Sequence, residues 1–366
     1  MASALNIMKN FMDSLNNTSK SGITALNEAV KAVSNFSSWS QVVSTMIADC
    51  KSYNGNGTAF LNRMCGINLT NKDTGAITGS DAGGGSTKTA ESIIPESGAW
   101  KYPSKTTFTI QGLTVTVPAK KTLSSSQQYI VGALYTWWIK NSLTLIKNSY
   151  GLSFQDSGAT VKKIDIKFYN GGSSSGLAMV TYGNKRKTDT LTMRINNYYF
   201  NNIDQSNPNG VGIQKNYYLD RTIVHELTHA VMAANIDYFS KLPTFIKEGT
   251  AELVHGIDDK RTDQIKSLAS NSASLQKALV TGNNGTSAYS AGYIALRYFA
   301  KQAAANRKPS SSSLIAEDEL FESAGNFSEL DEIISTDNLI SDNFTESNEN
   351  IFSNENSQIY YGGKNQ

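Results

Sequence analysis

The pentapeptide His225-Glu226-Leu227-Thr228-His229 holds two of the chain's three histidines, and it constrains the fold more than any other feature. Residues four apart on an α-helix lie one turn over the other, so both imidazoles can reach one metal ion from a single helix. From Tyr218 to Asn235 the apolar residues Ile223, Leu227, Ala230, Val231 and Ala234 recur at the helical period and form one stripe. His225, His229 and Met232 fall roughly opposite it. The pattern predicts a helix whose back packs into a core while its imidazoles look onto a cleft. The competing reading is a helix whose histidines are satisfied by hydrogen bonds in the core.

A second segment, Leu242 to Gly256, favours the metal. It predicts a short helix with Pro243 at its entry and Gly256 as its stop. Ile246, Thr250 and Leu253 mark a packed side, and Glu248, Glu252 and His255 share the opposite face. Tetrahedral Zn²⁺ that keeps one position open for water is commonly held by two histidines and a glutamate, which makes Glu248 the natural third ligand. Glu226, between the histidines, would then overhang the water that such an ion acidifies and act as the base. His255 either orients a ligand or assists the reaction, or it places a charge that suits the helix C-terminus.

HELTH, eighteen residues, and then Glu248 in the string Lys-Glu-Gly-Thr-Ala together resemble the layout of the gluzincin metallopeptidases. The resemblance implies that His225, His229 and Glu248 hold Zn²⁺. It also implies that Glu252 matches the acidic residue that hydrogen-bonds a zinc-bound histidine, where thermolysin-like members usually carry aspartate. The alternative for Glu252 is an exposed helix charge. Tyr289-x-x-Gly292, in a helix predicted from Ser287 to about Ala304, is similar to the Tyr-x-x-Gly of aminopeptidase N-like gluzincins. It implies that the Tyr289 hydroxyl donates to the tetrahedral intermediate, with Tyr293 as its rival. The metzincin pattern fails because Met232 and Asn235 stand where glycine and a third histidine are required. The aminopeptidase string Gly-x-Met-Glu-Asn is absent, which favours an endopeptidase. Phe245 to Gly256 further resembles the metallopeptidase domains inserted in some bacterial flagellins, the flagellinolysins, although the chain lacks recognisable flagellin-like ends.

The rest of the chain predicts an α+β, zincin-like arrangement: a mixed sheet plus the active-site helix, then a helical lobe, with a helical module before them. The expected divisions are a helical module over 1–73, a Gly/Ser/Thr-rich linker over 74–94, a β-hairpin segment over 95–119, a zinc metallopeptidase domain over 120–307 and an acidic tail over 308–366. In the module, Leu5, Met8, Met12 and Leu15, then Ala25, Val30, Val33 and Phe36, mark two amphipathic helices. Gln111-Gly112 between Thr107–Ile110 and Leu113–Val117 predicts a hairpin. Gln128 to Lys147 predicts a helix with Trp137 and Trp138 in the core. Lys163–Tyr169, Leu177–Tyr182 and Thr190–Asn196 read as strands, the last being the expected open edge that holds a substrate backbone.

Charge is uneven: residues 310–366 carry 12 Asp/Glu and one Lys, a net of −11 against the chain's +2, which leaves +13 on residues 1–309. Such a tail resembles the C-terminal signals of bacterial type I secretion, or is a solvated acidic extension. The first thirty residues lack the continuous apolar run of a Sec signal peptide, and no run of 18 apolar residues spans a membrane. Cys50 and Cys65 either pair across a loop or stay reduced. Lys and Arg are scattered without an aromatic-basic motif, which argues against nucleic acid. The expectation is a secreted zinc endopeptidase acting on polypeptides of extracellular or surface proteins, with the oligomeric state left open. Two alternatives stand beside it. One is a secreted toxin protease whose N-terminal module selects a target, and the other is a non-catalytic zinc-containing binding protein, for which an intact Glu226 has no use.

Overall fold

Gln111 and Gly112 both adopt positive φ, 46° and 83°, the backbone of a two-residue hairpin turn. They join β1 (Thr107–Ile110) to β2 (Leu113–Thr116) in antiparallel register, with Ile110 opposite Leu113. A Cβ on Gly112 would stand 2.9 Å from the Gln155 side chain and 3.2 Å from the backbone of Phe154, so the position needs glycine for space as well as for φ. The structure is a computed structural model that describes residues 4–16, 22–67, 96–183, 188, 190–207, 210, 212, 218–255, 259–280 and 285–305. The expected linker over 74–94, the acidic tail over 308–366 and the helix stop at Gly256 lie outside the described residues.

Strands β3 (Lys163–Tyr169), β4 (Ala178–Tyr182) and β5 (Leu191–Asn196) complete a five-stranded mixed sheet in the order β1-β2-β3-β5-β4. β2, β3 and β5 run parallel, and β4 pairs antiparallel with β5. Alternate residues Leu113 and Val115, Ile164 and Ile166, and Leu191, Met193 and Ile195 are buried, as the two-residue period requires. One expectation fails: Thr190–Asn196 is not the open edge. β5 lies inside the sheet between β3 and β4, and β4 is the outer strand. The parallel β3–β5 pair needs a crossover, and β4 lies within that connection and folds back along the outer side of β5.

The helices divide into an N-terminal set and a set around the HELTH segment. The first comprises α1 (Ala4–Asn16), α2 (Gly22–Val33), α3 (Trp39–Ser52) and α4 (Gly57–Phe60), the last continued by a wider turn over Leu61–Cys65. Met8, Met12, Leu15, Ala25, Val30 and Phe36 are buried as their spacing predicts, and Val33 is half-buried against the same core. Next come α5 (Ser125–Ala133), closed by a reciprocal Ser124–Gln127 cap, a wider turn over Leu134–Trp138 and α6 (Ile139–Tyr150), which together form the rod expected over 128–147. Trp137 and Trp138 are core residues whose indole N–H groups donate to Ser97 O at 2.9 Å and Glu96 Oε1 at 2.7 Å. α7 (Asn197–Phe200) follows β5. The second set comprises α8 (Leu219–Asn235), α9 (Thr244–His255), α10 (Asp259–Ala269), α11 (Ser272–Ala278) and α12 (Ser287–Ala304).

The described parts of the 1–73 module and the 95–119 hairpin pack into the same core as the 120–307 segment. Trp39 of α3 stacks on Phe245 of α9 at 6.1 Å and meets Phe299 of α12 edge-on at 5.7 Å, and Phe11 of α1 lies 5.5 Å from Phe299. Arg297 of α12, 1 % exposed, donates to the Cys65 and Gly66 carbonyls at the end of the turn after α4, where a cation suits the unpaired carbonyls. Cys50 and Cys65 are buried free thiols, and Cys50 Sγ contacts Ala269 O at 3.2 Å. Burial and the nearby Asp49 carboxylate push the Cys50 thiol up to about 11. No described helix is long and apolar enough to cross a membrane.

Candidate metal centre

The HELTH segment lies on α8, and every one of its 17 residues is buried. This corrects the amphipathic reading: the histidine face is as covered as the apolar stripe, because α9 lies over it and β4 borders the same helix. α9 is likewise buried along its whole length. Thr250 Oγ1 sits 3.3 Å from Met232 Sδ, and Tyr150 OH donates to Thr250 O at 2.7 Å, which fixes α9 against α8 and α6.

The crossing of α9 and α12 is made by glycines. A Cβ on Gly249 would stand 2.5 Å from the Gly292 carbonyl carbon, and one on Gly292 would stand 2.0 Å from Phe245 O. Backbone therefore meets backbone, a spacing only glycine permits. Gly249 follows Glu248 directly, and Gly292 lies one turn after Tyr289, so the contact brings these two side chains to the same place.

Three donor atoms converge there. His225 Nε2 lies 3.0 Å from Glu248 Oε2, His229 Nε2 lies 3.1 Å from His225 Nε2, and His229 Nε2 lies 3.3 Å from Glu248 Oε2. Nitrogen and oxygen ligands at zinc distances of about 2.0–2.1 Å stand about 3.3 Å apart around a tetrahedral ion, close to the edges of this triangle. All three residues are 2 % exposed or less, and Glu248 Oε1 is buried without a hydrogen-bond partner in the protein. Burial alone would push the Glu248 carboxyl up, but the imidazoles of His229 and His225 outweigh it and hold it down at about 2. A buried pair of imidazole nitrogens and an ionised carboxylate fits a divalent metal ion.

A second cluster, His225, Glu252 and His255, shares one residue with the first. His225 Nδ1 lies 3.2 Å from His255 Nε2 and 3.6 Å from Glu252 Oε1, and Arg261 Nη2 lies 3.1 Å from Glu252 Oε1. A neutral imidazole has one lone pair, so His225 cannot ligate through both nitrogens at once. The guanidinium already neutralises Glu252. The arrangement suits one ion, in the first cluster, with the second supporting it. Burial, then the charges of His225, Arg221 and Arg261, push His255 well below the usual histidine range and keep it neutral.

The remaining predicted residues fall on either side of the site. Glu226 stands outside both clusters, fully buried, and its Oε2 accepts from Val180 N on the outer strand β4 at 2.6 Å. The Tyr289 ring lies nearly parallel to His225, 16° between planes and 5.9 Å between centroids. Burial, then the carboxylates of Glu248, Glu226 and Glu252, push its phenol well above the usual tyrosine range despite the opposing charge of Arg261. The Tyr293 ring lies 5.8 Å from the Arg297 guanidinium carbon, and the guanidinium nitrogens donate to the Cys65 and Gly66 carbonyls.

Sequence reasoning missed Arg261, whose guanidinium carbon lies 4.5 Å over the Tyr289 ring, and the Val180 N–H. No motif marks either, since one is a lone arginine on α10 and the other is backbone. Comparison with family models, with curated proteins and with solved structures finds no match, so the site's reading rests on its geometry and on the motif resemblance.

Proposed function

We propose that the chain is a zinc-dependent endopeptidase, with the triangle of His225 Nε2, His229 Nε2 and Glu248 Oε2 as the observation that carries the reading. His225, His229 and Glu248 would hold Zn²⁺, which would supply a Lewis acid able to acidify water and polarise a peptide carbonyl. Glu226 takes the proton of the attacking water and delivers it to the leaving amine nitrogen. Its hydrogen bond from Val180 N keeps one carboxylate oxygen fixed. Tyr289 keeps its proton, because burial and three carboxylates oppose its ionisation, and it donates that O–H toward the developing oxyanion. The low exposure of these groups removes competing water, which strengthens each of these electrostatic effects.

β4 supports binding of an extended polypeptide, because it is the outer strand and borders α8. Adding a strand to the outer edge of a sheet is a general route to peptide recognition. The test is metal analysis of the purified chain together with digestion of casein and flagellin, with and without a chelator. The reading expects about one zinc per chain and proteolysis that stops on chelation and returns with zinc. Zinc-free protein, or digestion that survives chelation, refutes it.

A further inference from the structure

The motif resemblance gives Glu252 the task of fixing a zinc-bound histidine, but the distances divide the work differently. For His225 to offer Nε2 to the metal, its proton must sit on Nδ1, and that buried N–H needs an acceptor. His255 Nε2 lies at 3.2 Å. Glu252 Oε1 lies at 3.6 Å, outside the range of an N–H···O hydrogen bond, and is held instead by Arg261 Nη2 at 3.1 Å. Arg261 in turn covers the Tyr289 ring at 4.5 Å, within the range of a cation–π contact.

We infer that His255 is the positioning residue that fixes the His225 tautomer for metal binding, while Glu252 acts through Arg261 to hold Tyr289 against the site. The inference rests on the zinc-peptidase reading and divides its supporting residues into two groups with separate effects. His255 sets metal affinity. Glu252 and Arg261 set the placement of the oxyanion donor. A neutral imidazole as acceptor also adds no negative charge to His225, so the ligand stays less basic than one backed by a carboxylate.

With only three histidines in the chain, the imidazole spectrum decides the first half without any mutation. In zinc-loaded full-length protein labelled with ¹⁵N-histidine, a coupling across the His225 Nδ1–H···Nε2 His255 hydrogen bond is the expected signature. His255→Leu should weaken zinc, measured by chelator competition, about 10- to 100-fold, and His255→Gln, which restores an acceptor, should recover most of that. Glu252→Gln and Arg261→Met should leave zinc affinity within about 3-fold but lower kcat at least about 10-fold at similar KM, as expected for a donor used in the transition state. A zinc-loaded, active wild type that lacks the coupling, or a Glu252→Gln variant that carries the larger loss of zinc affinity, overturns the inference alone. A wild type that binds no zinc refutes the peptidase reading and the inference with it. If His255→Leu fails to fold, the wild-type coupling still decides.

Discussion

Gly292→Ala tests whether the glycine crossing sets the site. The new Cβ would lie 2.0 Å from Phe245 O, 2.9 Å from Phe245 C and 3.0 Å from Gly249 Cα, all backbone atoms that no rotamer change can move. Restoring ordinary contact requires the helices to part by about 1.4 Å, and overpacking of this kind costs about 3 kcal/mol at the upper end of its usual range. Exchanging glycine for alanine within a helix returns about 1 kcal/mol, so the net loss should be about 2 kcal/mol. That is a large fraction of a typical stability of about 5–15 kcal/mol, yet it leaves a folded protein. α9 is tied to α8 and α6 through Thr250, so α12 should give way and carry Tyr289 with it. A displacement of about 1 Å at a catalytic group can cost about 100-fold in rate, and kcat/KM should fall by about that factor while zinc content stays near one. Urea unfolding, zinc analysis and cleavage of a fluorogenic peptide measure the three quantities. Gly249→Ala, whose Cβ would meet Gly292 C at 2.5 Å, should reproduce the effect from the other helix. Unchanged stability and unchanged kcat/KM in both variants would show that the helices do not meet there, and the argument for how Tyr289 reaches Glu248 would fall.

Glu226→Gln should abolish cleavage while zinc content stays near one per chain, because the carboxylate stands outside the donor triangle; retained activity would remove Glu226 as the base. Glu248→Ala should lose most of the zinc affinity in a chelator competition, since it deletes one of three donors. Tyr289→Phe should lower kcat by about 100-fold with KM little changed, and Tyr293→Phe should spare kcat, so a reversed order in steady-state kinetics would refute the assignment of the donor. Burial pushes the Lys247 ammonium down to about 8 despite the neighbouring Glu248 carboxylate. The unfolded chain therefore binds more protons than the folded one from about pH 8 up to the ordinary lysine range near 10.4, and folding stability in chelator should gain up to about 3 kcal/mol across that window. Lys247→Met should flatten this rise in urea melts taken from pH 7 to 10, and an equal slope in both proteins would contradict the burial argument.

Local pattern reaches only as far as local physics does. The ends of α8 and α12, the Gln111-Gly112 turn and the three strand segments follow from periodicity and backbone preference, so they were readable within a residue or so. The order of β4 and β5 was not, because nothing in either run records which neighbour it will find. The all-round burial of α8 was hidden for a related reason. Its polar face carries Asp220, Arg221, His225, Glu226 and His229, residues that ordinarily face water, and here they are buried among other polar groups that the chain supplies from elsewhere.

The ligand set was legible because metal chemistry fixes residue type and spacing together, whereas the groups that support it were legible only in part. Arg261 can hold Glu252 and cover Tyr289 only because α10 follows α9 and packs beside α12, an arrangement with no spacing rule. The glycines after Glu248 and Tyr289 are the opposite case. They stood in both motif strings, and their physical reason emerges only when each is seen to press on the other helix: the motif records the closeness of two helices as well as the chemistry of two side chains. A search for such sites should therefore weigh a glycine next to a ligand and a glycine one turn from an oxyanion donor as a coupled pair. A side chain at either position would meet the other helix's backbone and hold the helices apart, so only the pair lets a carboxylate on one helix and a phenol on another converge on the same buried point.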